Sequence, residues 1–425
     1  MKKIALLVFS TLLASIVVSC TKDETTSKDA GLTGVNVAVG EKNGKFDKLF
    51  VLNEGNFQKN NSTLDFFRFS DGNYISDAFG QINPTIVQGL GDTGNDLALQ
   101  DGKLWLVMNG SGVVHVVDAK DETYLSSVTV PDPRYIAFDG SHAYVSSYAG
   151  AVYGGEETKG KVYRINLETY KVDGEVEVGC QPEGLAVTGG KLYVANSGGY
   201  NHVHESTVSV VGLASFKVEK SIQVASNLHF MAADGNGGVW VSSYGESTWS
   251  QDASGQWVQS MSEPLALYRI TGGKAEVVKD VHVSCMTLCA NGFIYAIGNA
   301  DELTGGFANT LYKVSTKDGS VVSAALSGTD AAKVANPYGI LANPDNGDIY
   351  IADSGAGYTN PGKLWCLTKD LTLKWSATTG MLPAHMVLYM IPAQAPGTAA
   401  MCLTLSDVLS DVILKSPPDS HISNY

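Results

Sequence analysis

Apolar residues in this chain fall in short runs with a repeating plan. A three-residue run such as Leu104, Trp105 and Leu106 is followed by a polar stretch and then by a strictly alternating segment. Equivalent runs occur at 49–51, 143–145, 192–194, 239–241, 294–296 and 349–351, and successive starts lie 39 to 55 residues apart. The alternating segments, at 113–118, 161–166 and 207–211 for example, have the period of two that marks a half-buried strand. Most copies add a weaker alternating segment, as at 172–178 and 218–224.

A further apolar run precedes each of these by a tight turn, at 97–99, 136–138, 185–187, 230–232, 288–290 and 340–342. The turns are Asp101-Gly102, Asp139-Gly140, Gly189-Gly190, Gly237-Gly238, Asn291-Gly292 and Asn346-Gly347, residue types that supply the positive φ a hairpin needs. Four short strands per unit of this length is the pattern of a propeller blade. Seven copies predict an all-β, seven-bladed β-propeller. A solenoid would use one or two strands in a shorter repeat. The run at 49–51 lacks a first strand, and the missing copy is 386–389, after Pro383. The C-terminal strand is therefore expected to complete the blade that the N-terminal strands begin, closing the ring and hiding its open edges. The propeller is expected to span 46–389.

The ends read differently. Lys2 and Lys3 precede an apolar stretch, 4–18, that is too short for a comfortable membrane span. Val17, Val18 and Ser19 lead into Cys20, the arrangement of a bacterial lipobox. Residues 1–19 are thus expected to be a lipoprotein signal peptide and Cys20 the lipidated first residue of the mature chain, with membrane attachment through the lipid only. Lys22, Asp23 and Glu24 resemble the export signal that sends such lipoproteins to the outer face of the outer membrane. Residues 20–45 are polar and aperiodic, as in a flexible tether. Residues 390–425, with Pro392, Pro396, Pro417 and Pro418, are expected to form a disordered or loosely docked tail.

Composition narrows the function. The formal charge is −14 with no basic stripe, which argues against nucleic acid as a partner. The 46 glycines and 19 tyrosines suit a many-turned β protein. Cys180, Cys285, Cys289, Cys366 and Cys402 match no disulfide or metal spacing and read as small hydrophobes.

The tight turns occupy one end of the ring, so the long connections from second to third strands must emerge at the other. These are 53–62, 148–160, 196–206, 244–264, 299–309 and 353–362. They begin with residues such as Asn196 and Asp353, and they carry Tyr148, Tyr153, Tyr200, Tyr244, Trp249, Trp257, Phe307 and Tyr358. Aromatic anchors among small hydrogen-bonding residues suggest a binding face. Aligning the seven copies gives one position at the channel mouth: Asn95, Arg134, Glu183, His229, Met286, Tyr338 and Ala384. Five of the seven are polar, ionisable or hydroxyl-bearing, so this ring, with Tyr135 beside Arg134, is expected to floor a ligand site. Substituting Arg134 or Tyr244 by Ala should weaken binding and spare the fold.

Catalytic chemistry finds little support, and no catalytic residue, metal or cofactor is expected. The glycine pattern from Gly89 to Gly94 leads into a strand rather than a helix, so it offers no helix N-terminus to a pyrophosphate. His202 and His204 lack an identifiable third metal ligand. Asp345-Asn346-Gly347-Asp348 is too short for a calcium loop. No strained nucleophile turn is present, and no spacing sets any two of Glu54, Glu183, Asp301 and Asp353 as a glycosidase pair.

Several stretches carry a family likeness: Leu52-Asn53-Glu54-Gly55 with Asn60-Asn61-Ser62, Leu90-Gly91-Asp92, Pro133-Arg134-Tyr135-Ile136, Pro182-Glu183-Gly184, 194–200 and Trp240-Val241-Ser242-Ser243. From Leu49 to Tyr389 the chain resembles the YncE-like propeller lipoproteins and, within them, the BtuG-type surface lipoproteins. That resemblance implies a cobalamin or related corrinoid ligand and a partner in a TonB-dependent, BtuB-like transporter of the outer membrane. The alternative is a non-catalytic propeller lipoprotein that binds a glycan, peptide or protein on the same face.

Overall fold

The computed structural model describes residues 31–40, 44–150, 158–201, 204–299, 309–355, 357 and 359–390. Seven antiparallel sheets stand around a common axis. Blade 2 is built from Gly94–Gln100, Lys103–Met108, Val113–Asp118 and Tyr124–Thr129, in that order from the axis outward. Blades 3 to 7 repeat this order, with inner strands Pro133–Phe138, Pro182–Thr188, Leu228–Ala233, Cys285–Cys289 and Pro337–Ala342.

Blade 1 takes its inner strand from the far end of the chain. Pro383–Tyr389 pairs antiparallel with Lys48–Asn53, with Leu49 opposite Leu388 and Val51 opposite Met386. The expected closure is present. The same blade gains an outermost strand, Val35–Asn36, paired with Asn73–Ile75, so residues read from sequence as part of the tether join the sheet. They were invisible as a strand because a two-residue element carries no periodicity.

The apolar runs are explained by packing. Each second strand lies inside its blade and is covered by the neighbouring blade on either face. Leu104, Leu106 and Met108 enter the cluster shared with blade 1, whereas Trp105 and Val107 enter the one shared with blade 3. Seven buried clusters fill the seven interfaces between blades. A strand buried on both faces reads as a continuous hydrophobic run, not as an alternation. The fourth strands face solvent and carry charge, as in Lys171, Glu175 and Glu177 or Lys217, Glu219 and Lys220, which blunts edge pairing.

Between the second and third strands of blade 5 a separate hairpin, Glu246–Gln251 with Trp257–Glu263, projects from the ring. Among the described residues no helix is long and apolar enough to cross a membrane.

Candidate functional site

The inner strands enclose an axial channel of about 650 Å³. Its wall differs from the ring expected from sequence. Asp96, Tyr135, Gly184 and Phe230 line it where Asn95, Arg134, Glu183 and His229 were aligned, whereas Met286, Tyr338 and Ala384 do reach the wall, with His385 beside Ala384. The offset of one residue has a structural cause. In the four blades that show it, the pairing of inner and second strands shifts register near the end where the inner strand begins, as between Gly94 and Asp96. Such a bulge turns successive side chains to new faces, and an alignment on apolar runs cannot see it. Two wall positions are glycine because neighbouring backbone leaves no room. A Cβ at Gly184 would come 2.3 Å from the His229 carbonyl oxygen, and one at Gly339 would come 1.8 Å from that of Ala384.

The residues just behind this wall form inter-blade bonds. Asn95 Nδ2 donates to the Arg134 carbonyl at 2.8 Å. Arg134 donates from Nε and Nη2 to the two oxygens of Glu183, both at 3.0 Å. The Tyr148 hydroxyl also donates to Glu183, and the guanidinium carbon lies 4.9 Å from the Tyr148 ring centroid. Ser146 Oγ holds the Glu183 carbonyl at 2.7 Å. Burial is the largest influence on the guanidinium and opposes its charge, but the adjacent Glu183 carboxylate outweighs it and raises the Arg134 pKa. This cluster joins blades 3 and 4 as a rigid strut beneath the loops.

A second group gathers at the channel mouth, and no sequence signal brings its members together. Tyr338 donates its hydroxyl to Glu54 Oε2 at 3.0 Å. His385 stands between two carboxyls, its Nε2 3.9 Å from Glu54 Oε1 and its Nδ1 3.5 Å from Asp96 Oδ1. Asp96 accepts from the Ile136 amide at 3.0 Å and from its neighbour Leu97 at 2.9 Å. Burial pushes Glu54 and Asp96 up to about 7, because a carboxylate loses hydration there. The same desolvation takes His229 down to about 4 and His385 down to about 3. With a neutral imidazole these contacts are not ion pairs. Tyr135 completes the mouth, with its hydroxyl 3.4 Å from His229 Nδ1 and its ring edge-on to His385. Tyr244 lies over His229 at a centroid distance of 4.4 Å. Glu54 was visible only as a loop carboxylate, and the place of His385 depends on a closure between distant ends of the chain.

The remaining sequence candidates divide. Tyr200 and Trp249 are 52 % and 62 % exposed on the long-loop face. Asn196 is buried and bonded to Thr207, Ser209 and the Gly179 amide. Asp353 is buried too, and it accepts from the amides of Ala335, Asn336 and Gly355 and from the Trp365 indole. These two peg their loops. Polar residues at the start of a loop have this second use, and composition does not separate it from binding. Tyr358 and Cys20, with Tyr153, His202 and Phe307, lie outside the described residues. Cys180, Cys285, Cys289 and Cys366 are buried. Among the described residues no three His, Cys, Asp or Glu side chains are grouped to hold a metal.

Comparison with known proteins gives a family. Residues 47–368 match the domain of unknown function DUF5074. The chain belongs to the DUF5074 family. No curated protein matches this DUF5074 chain in sequence. Among solved structures it is similar to hydrazine synthase of Kuenenia stuttgartiensis, at 16% identity and TM-score 0.50, over 70% of this chain and 96% of that one. It is also similar to a Bacteroides fragilis protein provisionally assigned as a 6-phosphogluconolactonase, at 12% identity and TM-score 0.51, over 82% of this chain and 100% of that one. At such identities the likeness is one of fold, and fold does not carry function.

Proposed function

We propose that this protein is a lipid-anchored, surface-exposed binding protein that takes a corrinoid such as cobalamin on its long-loop face and passes it, without catalysis, to a TonB-dependent outer-membrane transporter. The supporting observation is the distribution of exposed aromatic residues. Phe57, Tyr200, Trp249 and Trp257 are 67 %, 52 %, 62 % and 65 % exposed, and all sit on connections at one end of the ring. Exposed aromatics gathered on one face mark an interaction surface. A corrinoid is broad, amphipathic and amide-rimmed. It would lie across the mouth, with the loop aromatics against its faces and the strut of Arg134 and Glu183 holding the floor rigid beneath it. Ligand identity rests on the family resemblance of the sequence. Titration with cyanocobalamin, followed by absorbance and calorimetry, tests the reading. Binding at micromolar concentration or tighter is expected, and no binding there refutes it. Cys20→Ser should release the protein from membranes; continued lipid labelling would refute the anchor.

The projecting hairpin favours a second reading. Trp249 is paired with Gln259, and Gln251 with Trp257, so both indoles stand on one face as diagonal neighbours. The other face carries Thr248, Ser250, Val258 and Ser260. An aromatic face flanked by amides would also suit a glycan, peptide or protein. Glycan-array binding that is lost in Trp249→Ala, with no response to cyanocobalamin, would select this alternative.

A further inference from the structure

The channel mouth contains an imbalance of charge. Among the described residues the base within ion-pair distance of Glu54 and of Asp96 is His385, at 3.9 and 3.5 Å, and desolvation keeps that imidazole neutral. The charge of Arg134 reaches Glu54 and favours its ionised form, and its Nε and Nη2 are bonded to Glu183. Blade 7 contributes the Tyr338 hydroxyl, and burial keeps Tyr135 of blade 3 and His229 of blade 5 neutral at pH 7. Blade 6 lines the channel with Cys285, Met286, Thr287, Leu288 and Ala290. Asp96 therefore lines the cavity and Glu54 stands at its mouth, and among the described residues neither has a lysine or arginine within ion-pair distance.

Keeping such groups is costly unless something compensates them. An anion would meet both carboxyls, and the Arg134 guanidinium is already engaged by Glu183. A single metal ion is disfavoured because Glu54 and Asp96 approach opposite nitrogens of one imidazole. Deeper in the channel the wall becomes aliphatic, with Leu97, Ile136, Leu288, Leu341 and Leu388. We propose that the channel is a binding site for an organic cation, a primary ammonium or guanidinium group on a short aliphatic body, whose charged nitrogen is held by Glu54 and Asp96 beside His385. The aliphatic body lies along the leucine-lined wall. The cation makes both carboxyls ionise, so binding releases protons and strengthens as pH rises through about 7. This site does not depend on the corrinoid reading: cyanocobalamin reports on the loop face, and an aliphatic amine reports on the channel.

The test is calorimetric titration of the mature protein with hexylamine, hexan-1-ol and hexanoate at about pH 6 and about pH 8, a range in which the amine stays protonated. Hexylammonium should bind at least ~10-fold more tightly than the alcohol or the acid. Its affinity should rise about tenfold over that range for each carboxyl that must ionise. Glu54→Gln keeps an acceptor for Tyr338, and it should reduce both the preference for the amine and the pH dependence. The wild-type series decides the matter even if a variant fails to fold. Equal affinity for amine and alcohol, a preference for hexanoate, or absence of amine binding at millimolar concentration would each overturn the proposal.

Discussion

Removing Arg134 should destabilise the ring, contrary to the expectation that the site could be probed there without cost. The guanidinium spans blades 3 and 4, and its side chain is 13 % exposed while that of Glu183 is 3 % exposed. In Arg134→Ala both charge-assisted bonds to Glu183 vanish, and the carboxylate is left with the Tyr148 hydroxyl in a place water scarcely reaches. Breaking one side of a buried pair costs about 3–5 kcal/mol. For the ring from Lys48 to Tyr389, roughly 340 residues, the unfolding entropy is about 0.7 kcal/mol/K, so Tm should fall by ~4–7 °C. The double variant Arg134→Met with Glu183→Leu removes both charges and retains volume, so it should lose less than Arg134→Ala alone. Scanning calorimetry on wild type, Arg134→Met, Glu183→Leu and the double variant gives the coupling energy. If Arg134→Ala melts within about 1 °C of wild type, or if the double variant loses the sum of the singles, the strut is not a buried, coupled pair.

Three further outcomes are expected. Lys48 Nζ donates to Glu122 at 2.8 Å and to the Lys120 carbonyl at 2.7 Å, with both side chains almost wholly buried; Lys48→Met should cost about 3–5 kcal/mol in urea unfolding, and Lys48→Met with Glu122→Leu much less. Glu54 rises from 4.5 to about 7 on folding, so the native state holds the extra proton between those values, and its contribution to stability is present at acid pH and lost as pH rises to about 7. Glu54→Gln should therefore match wild type near pH 4.5 and exceed it by about 3 kcal/mol at pH 8; a constant difference across that range in thermal melts would contradict the burial argument. Deleting the chain from Pro383 onward removes the inner strand of blade 1 and should abolish cooperative melting, whereas an unchanged transition would contradict closure by that strand.

Why the fold was legible and the site only partly so follows from particular residues. The run Leu104-Trp105-Leu106 announces a strand buried on both faces, and Asp101-Gly102 announces the turn before it, with φ of +50° and +70° in the structure. Both are local signals, and their repetition counts the blades. Arg134 is legible in the sequence as a polar residue of the channel mouth, but its partner Glu183 lies one blade away. Asp353 and Asn196 looked like binding residues because loop pegs and ligand contacts draw on the same side chains.

The sequence by itself determined the number of blades, the closure by Pro383–Tyr389 and the two unlike faces, since each depends on local period and turn chemistry. Only the tertiary structure decided which side chains face the channel. Bulges at the strand starts shift the wall by one residue, from Asn95 and Arg134 to Asp96 and Tyr135. The meeting of Glu54, Asp96 and His385 depends on the ring closing across more than three hundred residues of chain. Their altered acidity follows from burial, a property of the assembled channel and not of any segment.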